Sequence, residues 1–182
     1  MRKDKQKEMR FFAQAEYDGL CGFYAALNAL RWIDSSTENK KPTEQENQYF
    51  FVEAVTCLAR VRGVTIQILK NDPNVGGIDR LQIKELCELI VERLELPFKV
   101  EDSTNSRRSF LELMRTLKSD KRKFAAIVGT PNGGHWVVVA DHRDTSAYHL
   151  IDNSAPVRTP FTGLGSRKLS GEDVVILRPL ES

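Results

Sequence analysis

The chain has 182 residues, with 27 Lys and Arg against 25 Asp and Glu and a formal net charge of +2. That length suits one domain spanning residues 1–182 around a single sizeable core, with residues 1–10 a solvated, net basic lead-in. So small a charge excess argues neither for nor against nucleic acid, and no RNA- or DNA-binding signature is present. No apolar run is long enough to span a membrane, and the charged start MRKDKQKEMRFF lacks a signal-peptide core, so no membrane association is expected. Cys21, Cys57 and Cys87 are odd in number, far apart and without a CxxC, which fits a reducing compartment and a free thiol better than a disulfide framework. The expected location is cytoplasmic, whether by synthesis there or by delivery into a target cell.

In chain order, AQAEYDGLCGFYAALNALRW at 13–32 reads as a polar loop running into an amphipathic helix. Phe23, Ala26, Leu27, Leu30 and Ile33 recur at the spacing of one buried helical face. Asp18 and Gly19 supply a turn, which sets Cys21 in or just before the first helical turn. After the polar linker DSSTENKKPT, a second helix is expected from about Thr43 to Val61, with Phe50, Ala54, Cys57 and Val61 on one stripe. GVTIQIL at 63–69 is expected as a short strand or a continuation of that helix, and NDPNVGGID as a turn-rich loop. A third helix, from about Asp79 to Leu94, turns Ile83, Cys87, Ile90 and Leu94 inward, so Cys57 and Cys87 are both expected in the core. LPFKVED predicts a short strand, and SRRSFLELMRTLKS a fourth helix with Phe110, Leu113, Met114 and Leu117 inward.

The last third changes character. KFAAIVG, HWVVVAD, AYHLID and DVVILRP are β-branched and apolar segments separated by turn signals, and they predict strands. SAPVRTPFTGLGSRKLSGE, rich in Pro, Gly and Ser, is expected as a long loop, of the length usual for functional rims or mobile segments. Helices first and strands afterwards predict an α+β domain, a mostly antiparallel sheet packed against a helical half.

The chemistry gathers at three places. Cys21 stands at a helix N-terminus, where the partial positive charge and unbonded N–H groups favour a thiolate, the nucleophilic form. His135 opens a strand directly after Gly133 and Gly134, residues that let a substrate backbone approach closely. The HRDTS turn allows a hairpin that returns Asp152 beside His135. A thiol, a base and a carboxylate that orients the base are the minimum for activated nucleophilic attack. The Cys21 N–H and the Gln14 amide, which a loop could aim at the same point, would stabilise an oxyanion.

LCGFYAALNAL followed by GHWVVV and LIDNS resembles the papain-like cysteine peptidase superfamily. Within it the chain is most similar to bacterial double-glycine peptidases, the bacteriocin-processing type that matures peptides during export, with a fainter similarity to Josephin-type deubiquitinases. The resemblance implies a papain-like fold with the nucleophile helix packed on the sheet. It implies Cys21 as nucleophile, His135 as general base and acid, Asp152 as the orienting residue and Gln14 as the oxyanion donor. Gln14 stands seven residues before Cys21, slightly farther than that family commonly places it. Asn153 follows Asp152, the family also uses Asn in this role, and strand alternation lets only one of the two face His135.

The expected function is therefore a thiol protease cleaving a peptide or isopeptide bond after small residues such as glycine, as a free-standing effector or toxin domain. Gly133, Gly134 and Trp136 are the expected substrate contacts, with Trp136 and Trp32 alternatively core. A glutamine deamidase or transamidase would use the same residues, and a catalytically silent protein-binding module is the alternative outside enzymes. The partners expected are a protein or peptide substrate and an inhibitory or immunity protein. No cofactor is expected. His135, His142 and His149 are spaced by seven, which matches no common metal-ligand pattern, so no metal is expected.

Overall fold

A computed structural model describes residues 12, 20–38, 43–65, 77–103, 110–120, 123–130, 135–141, 148–152, 155–161 and 173–180. Among the described residues three helices come first: α1 (Cys21–Glu38), α2 (Glu44–Leu58) and α3 (Arg80–Arg93). Then follow β1 (Phe98–Asp102), α4 (Phe110–Ser119), β2 (Ala125–Gly129), β3 (Trp136–Asp141), β4 (Tyr148–Asp152), β5 (Ala155–Phe161) and β6 (Val174–Pro179). The strands form one six-stranded sheet in the order β1-β6-β2-β3-β4-β5, with every adjacent pair antiparallel. The architecture is α+β, as composition and pattern predict.

Local chemistry starts α2 and α3 where the sequence signals them. Thr43 accepts from the Glu46 N–H at 3.2 Å while Glu46 accepts from the Thr43 N–H at 2.6 Å. Asp79 and Gln82 make the same reciprocal pair at 2.8 and 3.0 Å. Both are capping boxes, which satisfy first-turn N–H groups that the helix itself cannot.

α1 departs from the amphipathic expectation, because it is buried on nearly every side from Cys21 to Ile33. The sheet lies on one flank and α2 and α3 pack on others, so even Asn28 has no exposed surface. Complete burial of Phe23, Leu27, Leu30 and Ile33 contributes about 1.5–3 kcal/mol each.

Strand alternation sorts the sheet residues into two cores. Ala125, Ile127, Trp136, Val138, Ala140, Ile151, Val175 and Leu177 join α1, α2 and α3. Ala126, Val128, Val137, Val139, Leu150, Val174 and Ile176 join Phe110, Leu113, Met114 and Leu117 of α4. The α4 stripe is therefore core, as its spacing predicts, but on the opposite face of the sheet from the other helices. Burial on both faces explains why these strands read as continuous apolar runs instead of alternating ones.

One segment corrects the sequence reading. Residues 155–161, expected within a long loop, form β5, the strand at the outer edge beside β4. Pro156 and Pro160 argued for loop, yet an edge strand tolerates proline because one row of its N–H groups has no ladder partner. Most of the expected strand at 63–69 and the rest of that loop lie outside the described residues; positions 63–65 are not strand.

Candidate functional site

Cys21 is the first residue of α1. Leu20 precedes it and accepts the first helical hydrogen bond, from Tyr24 N–H at 3.0 Å, so Leu20 is the cap residue. A leucine side chain has no oxygen to place on the first-turn N–H groups, in contrast to Thr43 and Asp79 at α2 and α3. All three cysteines are free thiols and buried, but Cys21 keeps 8% of its surface exposed while Cys57 and Cys87 keep none. Burial pushes the Cys57 and Cys87 thiols up from the ordinary range, which disfavours the thiolate form of both.

The turn that carries Cys21 sits on the strand that follows His135. A methyl group built at Gly22 would lie 2.9 Å from Ile83 Cδ1, 3.2 Å from Ile83 Cγ1 and 3.3 Å from Trp136 Cδ1. Helical preference alone would place alanine here, gaining about 0.5–1 kcal/mol over glycine. Trp136 is itself held at both ends. Its Nε1–H, bonded to the same Cδ1, donates to the Ile78 carbonyl at 3.0 Å. Its far ring edge lies over Gly129, its partner across the β2–β3 ladder, where an added methyl would meet Trp136 Cζ3 at 3.4 Å and Asp173 Cβ at 3.0 Å.

His135 is half-buried, and its carbonyl accepts from Thr130 N–H at 2.9 Å, extending the β2–β3 ladder by one residue beyond Trp136. On the other side of β3, Asp152 stands opposite Val137 and Ile151 opposite Val138. Asp152 is thereby the diagonal cross-strand neighbour of His135, a relationship that sets positions about 7–8 Å apart.

The N-terminal side of the site is tied down by a residue that the sequence reading did not single out. Asn28 Oδ1 accepts from Phe12 N–H at 2.8 Å, and Asn28 Nδ2 donates to Phe12 C=O at 3.0 Å. The side-chain amide thus imitates a strand partner. The Phe12 ring stacks on Phe50, with centroids 6.2 Å apart, and the Arg31 guanidinium lies over both rings. An asparagine amid ALNALRW was the signal, since a polar amide buried in an apolar helix needs partners. The signal for Gly22 was equally present, a glycine inside the first turn of an alanine- and leucine-rich helix.

The structure thus brings the Cys21 turn against the residue following His135, and Asp152 into the strand beside it. Trp136, expected at the substrate cleft or in the core, is 8% exposed with its indole N–H bonded to Ile78, and serves as core. Trp32 is likewise buried. Gln14, Gly133, Gly134, Asn153 and His142 lie outside the described residues, as do the side chains of Asp152 and His149. No helix among the described residues is long and apolar enough to cross a membrane. A comparison with protein-family models gives no match, and neither does a comparison with curated protein sequences.

Proposed function

We propose that the protein is a cysteine peptidase of papain-like mechanism, acting on a peptide or isopeptide bond. The observation that carries this reading is the seating of Gly22, beside Cys21, on Trp136, beside His135. The register of Asp152 against Val137 adds the third member. In this reading Cys21 reaches His135 around the end of the β2–β3 ladder, because α1 packs on the face of Trp136 and Val138 whereas position 135 alternates with them.

His135 takes the proton of the Cys21 thiol, and the Sγ attacks the carbonyl carbon of the substrate. The N–H groups of the α1 first turn, joined by Gln14, stabilise the oxygen as it becomes negative. His135 gives its proton to the departing amine, then draws one from the water that splits the acyl-enzyme. Asp152 holds the imidazole in one tautomer and balances its positive form. Gly133 and Gly134 leave room for an extended main chain with small residues before the cleaved bond.

The test is intact-mass spectrometry of peptides containing a Gly-Gly bond, and of proteins joined by an isopeptide bond, after incubation with wild type or Cys21→Ala. Two fragments whose masses sum to substrate plus water, absent with Cys21→Ala, are expected. An unbroken chain carrying the small mass gain of amide-to-acid conversion would replace the peptidase with a glutamine deamidase.

A further inference from the structure

We infer that Gly22 is a positioning residue, whose missing side chain sets how closely the Cys21 turn approaches the strand of His135, against Trp136 as a fixed stop. The inference rests on the peptidase reading and adds to it the element that spaces nucleophile from base. The Gly22 site is closed by two buried walls. Ile83 is fully buried in α3, and an alanine methyl at 22 would press on its Cδ1 at 2.9 Å. Trp136 cannot retreat, since the ring edge nearest Gly22 carries the nitrogen bonded to Ile78 and the opposite edge rests over Gly129.

An alanine at 22 is therefore accommodated by one of two movements. Either the end of Ile83 shifts within a packed core, or the first turn of α1 lifts from Trp136. The second movement carries Cys21 with it, because Cys21 is the adjoining residue in the same turn. His135 stays behind, held by its carbonyl bond from Thr130. Displacements of this kind cost reactivity out of proportion to their size, with about 1 Å worth on the order of a hundredfold.

The experiment measures the rate at which iodoacetamide alkylates Cys21 at neutral pH in the intact chain, with and without His135→Ala, in several backgrounds. In wild type, His135→Ala should slow alkylation about tenfold or more. In Gly22→Ala that dependence should shrink to about twofold or less. Gly22→Ala/Ile83→Val, which removes the nearest clashing atom, should recover at least half of the lost factor. Trp136→Phe, which keeps an aromatic ring but loses the bond to Ile78, should weaken the dependence in the same direction and covers the case in which Gly22→Ala does not fold.

If alkylation of wild-type Cys21 ignores His135, the peptidase reading fails and takes this inference with it. If wild type shows the dependence and both Gly22→Ala and Trp136→Phe retain it in full, the inference alone fails. Loss that follows the melting temperature in every variant and is not recovered by Ile83→Val would reduce Gly22 to a packing residue and also overturn it.

Discussion

Val137 and Asp152 face one another across the β3–β4 ladder, Asp152 closing β4 while Val137 lies two residues beyond His135. In the proposed peptidase reading, Asp152 is the residue that orients the imidazole. Asp152→Ala should lower kcat/KM by about 10²- to 10⁴-fold, as expected when a base loses the group that fixes its tautomer. Asn153→Ala should cost less than tenfold. Steady-state kinetics on a cleaved peptide separates the two, and a larger loss at Asn153 would shift the functional strand register by one.

Thiol chemistry provides a second prediction. Cys21 is the cysteine that keeps some exposed surface, while Cys57 and Cys87 keep none. Brief iodoacetamide treatment of the folded protein should label Cys21 first, with the other two following only on unfolding. Peptide mapping by mass spectrometry reads this directly, and equal labelling of all three would contradict the burial.

Cys87 also predicts an alkaline limb in stability. Burial raises its thiol above the ordinary value, so the folded chain keeps a proton that the unfolded chain releases. That contribution is fully present below the unfolded pKa of about 8.5 and is lost as pH rises, at about 1.4 kcal/mol per pH unit for one thiol. Urea unfolding between pH 8 and 10 should show the decline, and Cys87→Ala should reduce it, leaving the share from Cys57, which burial also raises.

The Asn28 amide makes two hydrogen bonds to the main chain of Phe12. Asn28→Ala should destabilise the protein by about 1–3 kcal/mol, since it leaves two polar groups without their protein partner. Asn28→Asp keeps an acceptor but sets an anion against the Phe12 carbonyl, so it should not rescue. Urea midpoints and hydrogen exchange at the Phe12 amide report both effects.

Most of the elements were legible because their signals are local. Thr43 with Glu46 and Asp79 with Gln82 announce helix starts within four residues, and VVV or AAIV announces a strand without reference to anything distant. Which face of the sheet α4 covers was not legible, because the Phe110–Leu117 stripe shows that one side of the helix is buried and not where its cover lies. β5 was hidden by Pro156 and Pro160, whose local meaning is loop until an edge position is known. At the site, Cys21, His135 and Asp152 could be chosen from residue type and spacing alone. Gly22 could not be weighed beforehand, since its significance comes from Ile83 and Trp136, more than sixty and one hundred positions away.

The two prolines of β5 reach beyond the fold itself. Pro156 and Pro160 lack a main-chain N–H, and a proline in an edge strand turns its nitrogen away from the ladder. Each removes one donor from this strand, and the register shift opposite Leu150 to Asp152 interrupts its regular pairing further. An extended chain arriving at this border, whether a second copy or a stretch of substrate, would meet missing donors and an irregular edge, both of which oppose its pairing as a seventh strand. Growth of the sheet by strand addition is thus discouraged on this flank, and β1 is left as the border that no proline interrupts.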